Sequence, residues 1–281
     1  MKLFKKKVGI CDKDLVKQFL NITSFIGVIC TFLLMFFTIP EEYKNLKGAI
    51  IFTVILVLIY IGIWIRANTV KRVELSINNS VFEIKEGDIF EESSLKVIGF
   101  NEYFDTKVDN KIISDKTLNG IYIKKCVDDL LKLDLDIEKD KHLGKNKDSI
   151  NANRVEGKKQ KYILGSIFKN EKYLLTAFSK FDDDNRAYLL MKDYIDFLIK
   201  FWDEIDIIYN GESVSIPLMG SGITRFKEYS LSDQELLELL IWSFKISRNK
   251  FTYPSKVSII IHSSKIDKIN LYKLKRGNYG I

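Results

Sequence analysis

Two long stretches without a charged side chain dominate the first quarter of the sequence. From Phe19 to Ile39 it reads FLNITSFIGVICTFLLMFFTI, stopped by Pro40, and from Ala49 to Ile65 it reads AIIFTVILVLIYIGIWI. A helix of about 20 residues crosses the ~30 Å hydrocarbon core of a bilayer, so the first run is long enough to span. The second is shorter, but Lys47 and Arg66 at its ends can snorkel and extend its reach. The connector PEEYKNLK is tight, which predicts an antiparallel helical hairpin over 19–66. A cleaved leader would have a shorter apolar run followed by a small-residue site, and a buried helix pair would carry a polar stripe; the runs fit neither. Lys2, Lys5, Lys6, Lys7, Lys13 and Lys17 precede the first run, and Arg66, Lys71 and Arg72 follow the second. The positive-inside rule then puts both termini, the basic segment 1–18 and everything after the hairpin on the cytoplasmic side of the membrane.

The formal charge of +7 invites a nucleic-acid reading, which its distribution removes. Residues 1–69 hold nine Lys or Arg against four Asp or Glu, and the rest of the chain holds 35 against 33. A nucleic-acid face would need its own basic surplus interleaved with aromatics. Cys11, Cys30 and Cys126 are widely spaced and suggest neither a disulfide framework nor a zinc site. With His142 and His262 the sole histidines, most routes to a histidine triad or a metal cluster are closed as well.

After Val70 the pattern becomes α/β. KRVELSI and VFEIKEGDIF alternate around NNS as a β-hairpin, and LKVIGF at 95–100 is a short strand. Apolar spacing predicts one helix over 121–140, while 141–160 has little to bury and reads as a surface loop or mobile insertion. KYILGSIF and KYLLTAFS are two strands joined by KNE, and a helical stripe over 188–206 includes Phe201 and Trp202 as core. FDDDNR before it is a solvated turn or an N-cap, since three consecutive acids cannot all face one ion. SVSIPLM is a strand, Ser232 with Glu235 forms a capping box for DQELLELLIWSFKIS, KVSIIIHS is a last buried strand, and DKINLYKLK is a terminal element. The fold class is α/β: a two-helix transmembrane hairpin, then a three-layer α/β/α domain with a mixed sheet over 70–281.

Between SVSIPLM and the capped helix lies GSGITRF. Gly220 and Gly222 let backbone amides approach an anion, as phosphate-holding turns do, but glycine also serves turns that hold nothing. The loop occupies the strand-to-helix position where ligands sit in open α/β sheets, and both readings stand. Arg225 or Lys227 would balance the charge of a phosphate, or lie on the surface. Asp88 can be a turn residue after Gly87, and Asn101 can cap the loop that follows it.

Four stretches together resemble the macro domain, an ADP-ribose-binding module: IKEGDIF at 84–90, VIGFNEYFD at 97–105, TLNG at 117–120 and IPLMGSGITRF at 216–226. The resemblance implies that Asp88, with Ile89, meets the adenine amino group and that Asn101 approaches the distal ribose. It implies also that the backbone of Gly220, Ser221, Gly222, Ile223 and Thr224 holds a pyrophosphate. The sequence departs from the family at EYFD, where Tyr103, Phe104 and Asp105 would shape a pocket for a different terminal group, and at Arg225, where a small residue is common. The whole chain is similar to the membrane-tethered macro-type effectors of bacterial Thoeris anti-phage defence. That resemblance implies a non-enzymatic receptor with no cofactor, whose ligand is an ADP-ribose-type nucleotide made from NAD by a TIR-domain partner. Binding would drive a homo-oligomer to damage the lipid bilayer of the bacterial inner membrane and kill the infected cell. The alternative is a tethered hydrolase acting on ADP-ribosylated substrates, for which Asp105 is the motif-adjacent acid. A structural anchor whose α/β domain docks another protein would leave the glycine loop idle.

Overall fold

A computed structural model describes residues 7–222 and 224–276 and divides them into two compact units. One runs to Val73 and includes a segment starting at Ile269; the other is Glu74–Lys268. Residues Ile269 to Arg276 fall in the same unit as the apolar hairpin.

In the first unit, α1 (Lys13–Leu34) and α2 (Leu46–Thr69) form the hairpin. At 22 and 24 residues, with mean hydropathy 1.5 and 2.7, both are long and apolar enough to cross a membrane. Their flanks differ from the uncharged runs. The Asp12 carboxylate accepts the amides of Asp14 (3.0 Å) and Leu15 (3.2 Å), so α1 starts well before Phe19. It also stops before Ile39, which Pro40 pushes out of the helical region. Asn45 caps α2 in the same way. Asn68, near the end of α2, is buried; its carbonyl oxygen accepts the amides of Lys7 (2.7 Å) and Val8 (2.9 Å), while Trp64 Nε1 donates to Val8 O (3.0 Å).

The second unit, taking in the whole of its first strand, contains β1 (Arg72–Ile77), β2 (Ser80–Glu86), β3 (Leu95–Asn101), α3 (Leu118–Cys126), α4 (Leu130–Lys139), α5 (Lys141–Gly144), β4 (Lys147–Ile150), β5 (Gln160–Tyr162), β6 (Ile167–Asn170), β7 (Tyr173–Phe181), β8 (Ala187–Leu189), α6 (Met191–Ile208), β9 (Val214–Pro217), β10 (Arg225–Phe226), α7 (Asp233–Ser247) and β11 (Lys256–Ile261). In the first unit α8 (Leu271–Arg276) follows. Among the described residues the main sheet runs β1-β2-β11-β9-β3-β7-β8-β10, with β6 also paired to β7. The neighbours from β2 through β7 are parallel, and β6 and β8 run antiparallel to β7. The sheet is therefore mixed.

Side-chain alternation separates its two faces. Ile98, Phe100, Leu175 and Ala177 pack with Tyr122, Leu133, Ile137 and Leu143 from α3, α4 and α5. On the other face Phe178 meets Tyr194 and Phe197 of α6, and Phe244 of α7 meets both Phe82 and Trp202. Three layers result, as the sequence predicts. Asn78 and Asn79 both adopt positive φ (53° and 58°), the backbone a two-residue hairpin turn requires, and Ser232 and Glu235 form the expected capping box.

Two expectations need correction. The helix over 121–140 is two helices, because Val127 is extended and Asp129 caps a new start by accepting Lys132 N (2.9 Å). The 141–160 segment is an ordered part of the domain: it supplies α5, β4 and part of the β4–β5 pair, and it sends Arg154 into the interior. FDDDNR is the turn between β7 and β8, with Asp182 Oδ1 accepting the amides of Asp184 and Arg186; the cap position of α6 is Leu190.

Buried Glu204 of α6 holds the 141–146 segment, accepting from Lys200 Nζ (2.8 Å) and Asn146 Nδ2 (3.1 Å) and bonding His142 Nε2 (2.6 Å). Burial raises its pKa, but the bonds from Lys200 and His142 outweigh burial, and the carboxyl titrates below its ordinary value. Glu83 behaves likewise: burial is offset by Lys256 and Ser258. A depressed carboxyl stabilises the fold above the unfolded value of about 4.3 and loses that contribution as pH falls through the folded value. Melting temperature is therefore expected to drop steeply below about pH 4.3, and Glu204→Gln to lower it at neutral pH while flattening the acid slope. Melting curves of the two proteins across that range check both.

Candidate functional site

Because β2, β9, β3 and β7 are parallel to one another or to β11, their carboxyl ends share one rim of the sheet. Open α/β sheets bind ligands there, where each strand hands over to a loop. A cleft of about 420 Å³ occupies this rim. After β2 come Gly87, Asp88 and Ile89; at the end of β3 is Asn101; after β9 come Gly220, Ser221, Gly222 and Thr224; after β11 come His262, Ser264 and Lys265. The start of α3, with Thr117, Leu118 and Asn119, closes another side.

The glycine loop opens with a tight turn. Leu218 O accepts both the amide of Ser221 (3.3 Å) and its hydroxyl (2.7 Å), and Gly220 sits at the third position with φ +87°. That is the type II arrangement, which asks for glycine there. A Cβ on Gly220 would also press on Leu236 Cδ2 and Phe226 Cζ, each at 3.2 Å. Gly222 differs: nothing lies within 4 Å of its would-be Cβ. The turn is braced from below by Tyr194, whose hydroxyl donates to Met219 O (3.3 Å) and which burial keeps protonated well above its ordinary pKa. From above, Lys265 Nζ donates to Ser221 O (2.7 Å) and stands 3.6 Å from Asp233 Oδ2 in the first turn of α7. The amide of Ser221 is spent on the turn, while among the described residues those of Gly220 and Gly222 have no acceptor.

The start of α3 lines the cleft as well. Thr117 Oγ1 accepts Gly120 N (3.2 Å) and donates to Ser114 O (2.6 Å). The helix can start this close to the preceding loop because residue 120 is glycine; a Cβ there would lie 2.2 Å from Ser114 O. Gly120→Ala is expected to cost about 1–3 kcal/mol by overpacking, seen as a lower denaturant midpoint at unchanged slope.

The residues singled out in the sequence separate into groups. Asp88, Ile89, Asn101, Gly220, Ser221, Gly222 and Thr224 line the one cleft. Ile223 lies outside the described residues. Asp88 is exposed and caps a short turn by accepting Phe90 N (3.0 Å). Asn101 does cap the loop after it: its Oδ1 accepts Tyr103 N (3.0 Å) and Asp105 N (3.2 Å), and its Nδ2 donates to Asp105 Oδ2 (2.9 Å).

Asp105 and Arg225 do not line this cleft. Asp105 is 1% exposed and does not line the cleft. Its carboxylate takes both arms of Arg154 (Nη2 at 2.7 Å, Nη1 at 3.2 Å), the amide of Lys158 (2.7 Å) and Asn101 Nδ2. Arg154 in turn lies 3.8 Å over the ring of Tyr103 and donates to Lys158 O and Asn185 Oδ1. Gly157, at φ +94°, leaves room for this pair, since a Cβ would sit 2.7 Å from Asp105 Oδ1. Tyr103 and Phe104 are buried too, so EYFD builds the interior beside the site and not its wall. Arg225 is exposed in β10, and Lys227 lies over the ring of Tyr188 at 3.6 Å. The cations that do line the cleft are Lys116, just before TLNG, and Lys265, which follows a strand in a polar stretch and carries no motif to mark it.

The model for the Thoeris protein ThsA macro domain matches residues 82–262, from within β2 to the first cleft residue after β11. Over 281 aligned residues the chain is 39% identical to the Thoeris protein ThsA of Bacillus amyloliquefaciens (strain Y2), covering 97% of this chain and 93% of that one. This chain belongs to the Thoeris ThsA family. Solved structures of the Oceanobacillus iheyensis macrodomain also align, one with ADP (14% identity, TM-score 0.45) and one with MES bound (14%, TM-score 0.44), each covering 73% of this chain and 94% of that chain. Overlaps that loose assign no residue a role. The ThsA family match stops at His262, so Ser264 and Lys265 lie just beyond the matched macro domain yet line the same cleft.

Proposed function

We propose that this ThsA-family protein is the receptor and effector of a Thoeris defence system, binding an ADP-ribose-type nucleotide in the rim cleft and disrupting the membrane through its apolar hairpin. The nucleotide would come from NAD through a TIR-domain partner, and several copies would act together, because one hairpin has too few polar residues to line an aqueous path. The observation that carries the reading is the convergence on one cleft of Asp88, the Gly220 turn with its neighbouring amides, the start of α3, Lys116 and Lys265. Backbone amides with a nearby cation are what a diphosphate needs, and the apolar walls at Ile89, Ile113 and Ile260 suit an aromatic base. A ligand moves the hairpin only as far as it prefers the active arrangement over the resting one.

At ligand one hundred times above Kd, a bound nucleotide stabilises by about 2.7 kcal/mol, which for a domain of this size raises the melting temperature by roughly 5–10 °C. ADP-ribose and extended derivatives are the probes, and no shift with any of them sinks the proposal. The hydrolase alternative loses its nominated base, since each oxygen of Asp105 already accepts two hydrogen bonds. Release of free ADP-ribose from a modified protein, abolished by Asp105→Asn, would restore it.

A further inference from the structure

The hairpin unit carries a cavity of its own, of about 250 Å³, lined among others by Gln18 of α1, Ile63 and Arg66 of α2, and Tyr272, Lys275 and Arg276 of α8. Its volume is several times the ~30 Å³ share of one water molecule, room enough for a phosphate group. Its chemistry is one-sided. Arg66, Lys275 and Arg276 bring three cations to one hollow, and among the described residues none of them has an acid within ion-pair distance. Arg66 also offsets the negative pole at the C-terminal end of α2, which leaves Lys275 and Arg276 in excess. The polar floor is fixed: the buried Tyr272 hydroxyl donates to Gln18 Oε1 (2.5 Å) and accepts from Arg276 Nη1 (3.2 Å). Ile63, Ala67 and Val70 give the cavity an apolar side continuous with the exposed face of α2.

The level of the cavity says which phosphate it suits. It lies at the last turns of α2, where Tyr60 and Trp64 bond the backbone carbonyls of Ile10 and Val8. Amphipathic rings at one end of an apolar helix mark the headgroup level of a bilayer, and cations there attract anionic lipid. We propose that this cavity holds the phosphate of an anionic phospholipid headgroup, with Lys275 and Arg276 as its principal cations and the acyl chains against α2. The site rests on reading α1 and α2 as membrane-spanning, and it ties α8, the element just after the macro domain in sequence, to the bilayer surface.

The test reconstitutes the full-length chain in nanodiscs of phosphatidylglycerol mixed with phosphatidylcholine, extracts it in mild detergent, and counts retained lipid by mass spectrometry. The wild type is expected to keep phosphatidylglycerol selectively. Lys275→Gln with Arg276→Gln should cut that retention roughly tenfold or more, and Arg66→Gln alone by less. Lys13→Gln with Lys17→Gln removes the same charge at the same end of the hairpin, outside the cavity, and should leave retention unchanged. Equal loss in both double variants would reduce the effect to general surface charge and overturn the site. Displacement of the lipid by excess inorganic phosphate would make it a site for free phosphate and overturn the lipid assignment. An unaltered melting temperature of each variant in pure phosphatidylcholine discs shows that it is folded. A chain that stays soluble without detergent and does not enter discs would overturn this inference and the membrane reading together; one that enters discs but retains both lipids alike overturns this inference alone.

Discussion

Replacing Arg154 by alanine is expected to lower the stability of the macro domain by about 3–5 kcal/mol, the usual cost of leaving one member of a buried ion pair without its partner. The Arg154 side chain is 6% exposed and the Asp105 side chain 2% exposed. Without Arg154 the carboxylate keeps the amide of Lys158 and Asn101 Nδ2 but remains a buried charge with no cation. For a domain of this size the loss corresponds to a melting temperature lower by roughly 6–20 °C. Arg154→Lys should recover only part of it, because an ammonium cannot make the two-armed contact or lie flat over Tyr103. The double variant Arg154→Leu with Asp105→Asn should be far less damaged than Arg154→Ala, because it buries no unpaired charge. Differential scanning calorimetry of the three proteins decides it. Asn101 links this cluster to the cleft, so Arg154→Ala is expected to weaken nucleotide binding as well.

The second large effect separates two glycines that look alike in GSG. Gly220→Ala forces a side chain into left-handed backbone and against Leu236 and Phe226, at about 1–3 kcal/mol of stability. It also tilts the turn that lines the cleft, and nucleotide-dependent stabilisation should vanish. Gly222→Ala meets open space on ordinary backbone and should leave stability within about 0.5 kcal/mol. Whatever Gly222→Ala does to nucleotide affinity then reports close approach of the ligand alone. Equal loss of stability in both variants would contradict a type II turn with Gly220 at its third position.

What the sequence discloses and what it hides follow from range. The Asn78–Asn79 turn, the Ser232 capping box and the apolar strand runs are decided by neighbours in the chain, so their residues announce them. The glycine loop and Asp88 are visible because strand, turn and helix start lie within a few residues. Arg154 is invisible for the opposite reason: its partner Asp105 is 49 positions away, and a buried arginine reads like a solvated one in a polar stretch. The same stretch hides the order of 141–160, which is held by Glu204 reaching back to His142 and Asn146. Arg225 stands out in the sequence as a departure within a motif, yet the fold turns it outward on β10, and the cleft takes its cations from Lys116 and Lys265. Where α4 begins depends on Asp129 capping a new start, which apolar spacing does not record.

The central claim is that the cleft holds an ADP-ribose-type nucleotide through the Gly220 turn. The most direct measurement is mass spectrometry of small molecules retained by the full-length chain purified from cells that also make a TIR-domain partner. The expected species contains an ADP-ribose moiety, is present with the wild type, absent without the partner, and lost from Gly220→Ala. No retained nucleotide under these conditions, or the same species retained equally by Gly220→Ala, would contradict it.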